Sequence, residues 1–205
     1  MLEHLPHWLG AAMSNVRAGS DKLTTATVDL YGAVPIQLSS LAFADGARLP
    51  ERFTADGEGV SPPLQWGPLP QGTASLLLIV EDPDAFTPRP IVHAIVAGID
   101  IDTSALPEGA IRPDGDGGPI GDSGTNSFGR EGWLPPDPPT GHGRHRYAFQ
   151  LFALDADVGD PGDTPGRTAV LEAMAGHVFA AGVLIGTYSR GEEAPVGPAG
   201  AVAAA

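Results

Sequence analysis

The 205-residue chain carries 28 glycines and 21 prolines, and this density of chain breakers constrains the fold more than any other feature. The apolar runs left between them are short: Leu76-Leu77-Leu78-Ile79-Val80, Ile91-Val92-His93-Ala94-Ile95-Val96-Ala97, and Tyr147-Ala148-Phe149-Gln150-Leu151-Phe152-Ala153-Leu154. Each is long enough for a buried strand and too short for most helices. Many turns and little room for long helices imply a mostly β sandwich.

Further strand-like runs are Ile36-Gln37-Leu38-Ser39-Ser40, Leu41-Ala42-Phe43, Val178-Phe179 and Gly182-Val183-Leu184-Ile185-Gly186-Thr187-Tyr188, with turn pairs at Asp45-Gly46 and Asp56-Gly57. Two segments break the pattern. Leu5, Trp8, Leu9, Ala12, Met13 and Val16 recur at helical spacing, predicting an amphipathic helix whose stripe packs on the chain's own domain or across a homodimer. A second helix is expected over 169–175, with Thr168 as cap, Glu172 in its first turn and Gly176 as its stop. The Ala, Gly and Pro tail from Gly191 has too little large apolar surface to order itself. The expected organisation is therefore a helix and linker over 1–35, one β domain over 36–190 and a disordered tail over 191–205.

A hydrophobic content of 42% is that of an ordinary globular domain, and 11 basic against 25 acidic side chains give a net charge of −14. Such a field repels polyanions, so no nucleic-acid partner is expected. With no cysteine there is no disulfide framework, and the N-terminus lacks a basic n-region or a long apolar run. A cytoplasmic protein with no membrane span is the expectation.

The chemistry-bearing residues fall at strand ends. Asp82 and Asp84 in Asp82-Pro83-Asp84-Ala85 are two apart and could project from one strand end, with Pro83 stopping the strand, although such a pair also forms Asx turns routinely. His93 opens an apolar run where a buried imidazole needs a partner, and a hydrogen bond to one aspartate would satisfy both. In Arg144-His145-Arg146-Tyr147, His145 and Tyr147 share one strand face and the arginines the other, placed to pair with acidic side chains. His142 reads as a loop residue and His177 as a charge partner at a helix end. Trp133-Leu134-Pro135-Pro136-Asp137-Pro138-Pro139 is too proline-dense for a central strand and reads as a rigid, exposed segment able to wall a pocket. His93, His145 and one aspartate also make a two-histidine, one-carboxylate set, but no metal and no cofactor is assigned. Asp114-Gly115-Asp116-Gly117-Gly118 lacks the closing carboxylate of a calcium loop and reads as a turn.

Taken in order, Ser61-Pro62-Pro63-Leu64-Gln65-Trp66, Asp82-Pro83-Asp84-Ala85, His93, Asn126-Ser127-Phe128-Gly129, the run from Pro138 through Gly141-His142-Gly143-Arg144-His145-Arg146-Tyr147, and Gly186-Thr187-Tyr188-Ser189-Arg190 resemble the phosphatidylethanolamine-binding protein family. Within it, the chain is similar to the bacterial Raf-kinase-inhibitor-like branch. The resemblance implies a large antiparallel sheet packed on a smaller one and a ligand pocket formed by Asp82, Asp84, His93, Pro139, His145 and Tyr147. It implies a small anionic or zwitterionic ligand, such as a phospho-headgroup, with Asp82 orienting a histidine and Asp84 meeting a ligand amine, and a regulated protein as a second kind of partner. Three positions depart from the family pattern: Phe86 replaces a proline and adds an apolar wall, Ala94 replaces a tryptophan and removes one, and Pro135 replaces a glycine. The alternative is an acid–base enzyme, a hydrolase, lyase or cyclase, with His93, His145 and Asp82 as catalytic candidates. No nucleophile elbow, His-Glu-x-x-His or phosphate loop is present.

Overall fold

The computed structural model describes residues 11–30, 32–113 and 120–190. Among the described residues nine strands form two sheets: β1 (Val34–Pro35), β2 (Leu38–Ser39), β3 (Leu64–Trp66), β4 (Ser75–Asp82), β5 (Ile91–Ile99), β6 (Ala105–Leu106), β7 (Asp122–Ser123), β8 (His145–Leu154) and β9 (Val178–Tyr188). The larger sheet has the order β1-β9-β8-β4-β5-β7 and the smaller β2-β3-β6. All pairings are antiparallel except β1 with β9.

The central strands are apolar along their whole length because both faces of the larger sheet are covered. Alternate residues go to opposite faces. Leu76, Leu78 and Val80 of β4 and Tyr147, Phe149 and Leu151 of β8 join Leu38, Leu64, Trp66 and Leu106 in the layer between the sheets. Leu77, Ile79 and Phe152 face the other way, beneath Val170 and Met174 of helix α2 (Arg167–Met174), with Val28 and Leu30 packed alongside. Each fully buried Leu, Ile or Phe contributes about 1.5–3 kcal/mol. The short helix α1 (Thr24–Thr27) is fixed to the outer face by a buried polar clip. Glu81 accepts hydrogen bonds from the Thr24 amide, Gln150 Nε2 and Arg167 Nε, and Gln150 in turn accepts from the Thr25 amide and hydroxyl.

Several sequence expectations shift. The stripe from Leu5 to Leu9 lies outside the described residues; beyond it Ala11 to Met13 are helical, and Ala12 and Val16 are exposed rather than packed. Leu41-Ala42-Phe43 is a bend, with Leu41 pointing to solvent and Phe43 to the core. The late helix begins earlier than Thr168: Gly166 is its N-cap, no side chain caps it, and Glu172 is not in its first turn. Gly176, with φ of 81°, does follow its end. The 133–139 segment is not exposed, since the Trp133 ring is buried and stacked on Phe149 at 6.2 Å. The Asp114 to Gly118 turn and the 191–205 tail lie outside the described residues.

Candidate functional site

The order β8-β4-β5 brings the C-terminal end of β4 beside the starts of β5 and β8. Asp82 pairs in register with Ile91, and Glu81 with both Val92 and Ala148, so the Asp82, His93 and His145 positions gather at one end of the sheet. Between them and the 134–139 segment lies a cavity of about 280 Å³, lined among others by Asp82, His93, Pro139, His145 and Tyr147. The Pro-rich segment is the wall that its stiffness suggested, and it is pinned from behind: Arg190 donates to the Pro138 carbonyl and pairs with Asp137 and Asp56.

His93 enters the cavity because of an irregularity in the ladder. Val80 is opposite Ala94 and Glu81 is opposite Val92, leaving His93 without a partner on β4. An extra residue of this kind bends the strand and re-aims its side chain. The imidazole is then locked by Leu134: its Nδ1 lies 2.7 Å from the Leu134 carbonyl, and the Leu134 amide donates to the His93 carbonyl at 2.7 Å. A carbonyl only accepts, so Nδ1 carries the proton and, in the neutral ring, Nε2 presents a lone pair. Burial lowers the His93 pKa below the usual histidine value, although the Asp82 charge opposes this, so the neutral ring is favoured. Nε2 is buried and has no hydrogen-bond partner among the described residues, and the same holds for the Tyr147 hydroxyl. The two rings meet edge to face at 5.1 Å. Burial also raises the Tyr147 pKa well above that of a free phenol, which keeps its proton in place.

His145, not His93, is the histidine that takes an aspartate. Its Nδ1 lies 2.7 Å from Asp82 Oδ2, while Asp82 Oδ1 accepts the Asp84 amide in an Asx turn. Both readings of the Asp-Pro-Asp turn are therefore realised by one carboxylate. The other ring nitrogen of His145 is also engaged, 2.7 Å from His142 Nδ1. With Nδ1–H of His145 directed at a carboxylate, Nε2 accepts from His142 Nδ1–H when the rings are neutral. Burial, His145 and Arg17 together lower the His142 pKa.

Asp84 does not line the cavity. Its buried carboxylate is held by Arg146 and, at 2.8 Å, by Arg17 from the N-terminal segment. The expectation that it would meet a ligand amine fails for this reason. Ala94 is fully buried in the layer between the sheets, so its replacement of a tryptophan does not open the cavity. Phe86 does line it, as expected. Among the described residues no three His, Cys, Asp or Glu side chains converge as a metal-ligand set. His177 pairs with Asp155 at 3.0 Å, away from the cavity.

Sequence reasoning missed three contributors. His142, set aside as a loop residue, is fully buried against His145. Arg130 lines the cavity from an exposed loop, and Arg190 braces its wall. Only His142 carried a local signal, since it lies three residues from His145 with Gly141 and Gly143 at φ of 84° and 92° turning the chain back on itself.

Comparison with known proteins agrees with this architecture. The profile of the phosphatidylethanolamine-binding protein family matches residues 39–189. The UPF0098 protein of Methanothermobacter thermautotrophicus is 42% identical over 159 residues, covering 76% of this chain and 100% of the relative. The solved structure of CT736 from Chlamydia trachomatis is 36% identical with a TM-score of 0.66, covering 78% of this chain and 99% of that one. That of Escherichia coli YbcL, described as a member of the mammalian PEBP family, is 30% identical with a TM-score of 0.68, covering 75% and 98%. The motif order, the two-sheet architecture and these matches converge: the chain belongs to the phosphatidylethanolamine-binding protein family.

Proposed function

We propose that this chain is a small-ligand-binding protein whose cavity takes an anionic or zwitterionic molecule, with Asp82, His93, Pro139, His145 and Tyr147 as the binding residues and Asp84 as their support. One observation carries the reading. Two side-chain polar atoms, His93 Nε2 and Tyr147 Oη, are buried without a hydrogen-bond partner among the described residues, and both residues line the same cavity. Leaving such groups unpaired costs about 1–3 kcal/mol each, and a cavity that gathers two of them is where a ligand is expected.

A ligand that satisfies them recovers that cost on binding. The same surface, in the manner of the Raf-kinase-inhibitor-like branch, would then present a ligand-dependent face to a regulated protein. The absence of cysteine is compatible with a cytoplasmic setting without requiring it, and among the described residues no helix is long and apolar enough to cross a membrane.

The acid–base alternative has one specific support, the Asp82 and His145 pair at 2.7 Å, which resembles an oriented general base. His142 occupies the nitrogen such a base would use, which leaves His93 Nε2 as the acceptor open to a substrate. Mass spectrometry of small molecules released from gently purified protein, followed by calorimetric titration of each, tests the binding reading. A bound molecule recovered from the native protein and lost in Tyr147→Phe supports it. Absence of any bound molecule, together with no heat from headgroup, carboxylate or amine libraries, overturns it.

A further inference from the structure

The chain has few cations, and most of those in ion pairs are spent on its own acids. Among the described residues Arg17 and Arg146 share Asp84, Arg52 takes Glu108, and Arg190 takes Asp56 together with Asp137. Lys22 and Arg89 differ. In a chain with 25 acidic and 11 basic side chains, neither has a carboxylate partner among the described residues, and both line one open cleft of about 510 Å³. This cleft and the cavity at the end of β4 share no lining residue.

Three pieces of the chain build the cleft: the N-terminal segment through Lys22, the β4–β5 turn through Arg89 and Pro90, and α2 through Arg167, Thr168 and Glu172. Lys22 ties the other two together. Its carbonyl accepts from Arg167 Nη2 at 2.6 Å, and its ammonium donates to the carbonyl of Pro88, the neighbour of Arg89, at 3.1 Å. An ammonium carries three donors, so Lys22 has donors to spare. Arg167 is fixed by Glu81 as well, which leaves its Nη1 uncommitted, and the Arg89 guanidinium is bonded to none of the described residues. Glu81 lies behind Arg167, fully buried and offset by it, and of the lining residues only Glu172 is acidic. On a molecule of net charge −14 the cleft is therefore a local excess of positive charge.

We propose that this cleft is a second binding site, which takes the phosphoryl group of a small soluble phosphomonoester. A carboxylate presents two oxygens in one plane and is matched by a single guanidinium. A phosphoryl dianion presents three, and so makes use of Lys22, Arg89 and Arg167 together, with the Thr168 hydroxyl as a further donor. Pro90 offers the ester's body an apolar contact, and Glu172 an acceptor for a hydroxyl group on it. An anionic lipid surface is the poorer source of the same group, because it would meet the repulsive field of the whole chain. Lys22 precedes residues 39–189, the part that the family profile matches, so the site depends on a segment outside that profile. It stands apart from the ligand of the cavity and does not rest on it.

Glycerol 3-phosphate, inorganic phosphate and glycerate, the carboxylate of matched body, test the site when titrated into the full chain by calorimetry and amide NMR. Glycerol 3-phosphate is expected to move the amides of Arg89 and Thr168 and to bind about fivefold or more tightly than glycerate. Its affinity should fall about tenfold in Arg89→Gln and in Lys22→Gln, and inorganic phosphate should show the same dependence on both residues. The two side chains are exposed, so each variant keeps the fold, which a thermal melt checks. Added salt should weaken binding for the same reason. Affinity that is unchanged in both variants, or shifts confined to the amides of His93 and Tyr147, would overturn the site. Glycerate binding as tightly as the ester would overturn its phosphoryl preference. Co-sedimentation with phosphatidylcholine vesicles only when they contain phosphatidic acid, without binding of the soluble ester, would overturn the soluble ligand in favour of a lipid surface.

Discussion

Arg146 grips Asp84 from two sides of one peptide: its Nε and Nη2 each lie 2.7 Å from a carboxylate oxygen, and its own backbone amide donates to the same group at 2.9 Å. Arg17 adds a further contact from the N-terminal segment, while Ala18 and Gly19 donate to the carbonyls of Ala85 and Pro83. The β4–β5 turn that carries Phe86 is thereby tied both to β8 and to the N-terminal segment.

Replacing Asp84 by Ala should cost about 3 kcal/mol in a urea melt, the lower part of the range for breaking a buried pair, because both arginines are partly solvated. Burial alone would raise the Asp84 pKa, but the Arg146 and Arg17 hydrogen bonds overcome it and hold it below the usual carboxylate value. A depressed folded pKa means stability that is complete above the unfolded value near 3.8 and is lost as pH falls through the folded one. The variant should accordingly show a shallower acid limb than the parent protein.

His93 and His142 predict a separate effect nearer neutrality. Both are held below the ordinary histidine value of 6.5, chiefly by burial, so the unfolded chain binds more protons than the folded one as pH drops below it. Their contribution is full above 6.5 and fades towards the depressed folded values. The urea midpoint should rise as pH is raised towards 6.5 from below, and His142→Leu should flatten part of that slope. A parent protein with no such slope would contradict the placement of both rings.

The Glu81 clip makes a prediction about local opening. Removing the guanidinium in Arg167→Met leaves a fully buried carboxylate short of its cation, which should cost about 3–5 kcal/mol globally. Hydrogen exchange should accelerate first at the amides of Thr24 and Thr25, which donate directly into the network. Uniform acceleration across β4 with no excess at these amides would speak against the clip.

Gly182 tests the packing at the β9 edge. A Cβ there would fall 2.5 Å from the Ile36 carbonyl oxygen, on backbone whose amide is bonded to Ala181. Gly182→Ala should destabilise by about 1–3 kcal/mol, read as a lowered melting temperature, since backbone has less room to yield than a side-chain tip.

The long central strands were legible because burial on both faces writes them as uninterrupted apolar runs, and strand periodicity placed Asp82 and His145 each on an inward face, but their pairing was not legible, since the aspartate was expected to bond His93. The rest depended on information that one strand does not carry. His93 reaches the cavity through a ladder irregularity set by how β4 and β5 pair, so its true partner, Leu134, lies 41 residues away. Asp84 and Asp82 look equivalent in the chain, yet Arg17, 67 positions earlier, turns one into a structural anchor. Trp133 was read as exposed because its proline neighbours exclude it from a strand, but exclusion from a ladder does not exclude a ring from a core. At the late helix Thr168 offered better capping chemistry than Gly166, and the backbone started before it could be used.

The parallel pairing of β1 with β9 also has a temporal meaning. Val34 lies beside Ala180, so the edge of the larger sheet closes only when segments near opposite ends of the chain meet. During synthesis β4 and β5 can pair as soon as they emerge, but β4 must wait for β8, and β1 for β9, leaving an apolar hairpin without its flank until the last strands leave the ribosome. Non-local closure of this kind slows folding, because the entropy of bringing distant segments together is lost before their contacts repay it. The same late step brings His145 beside Asp82, so the cavity is among the last parts of the molecule to exist.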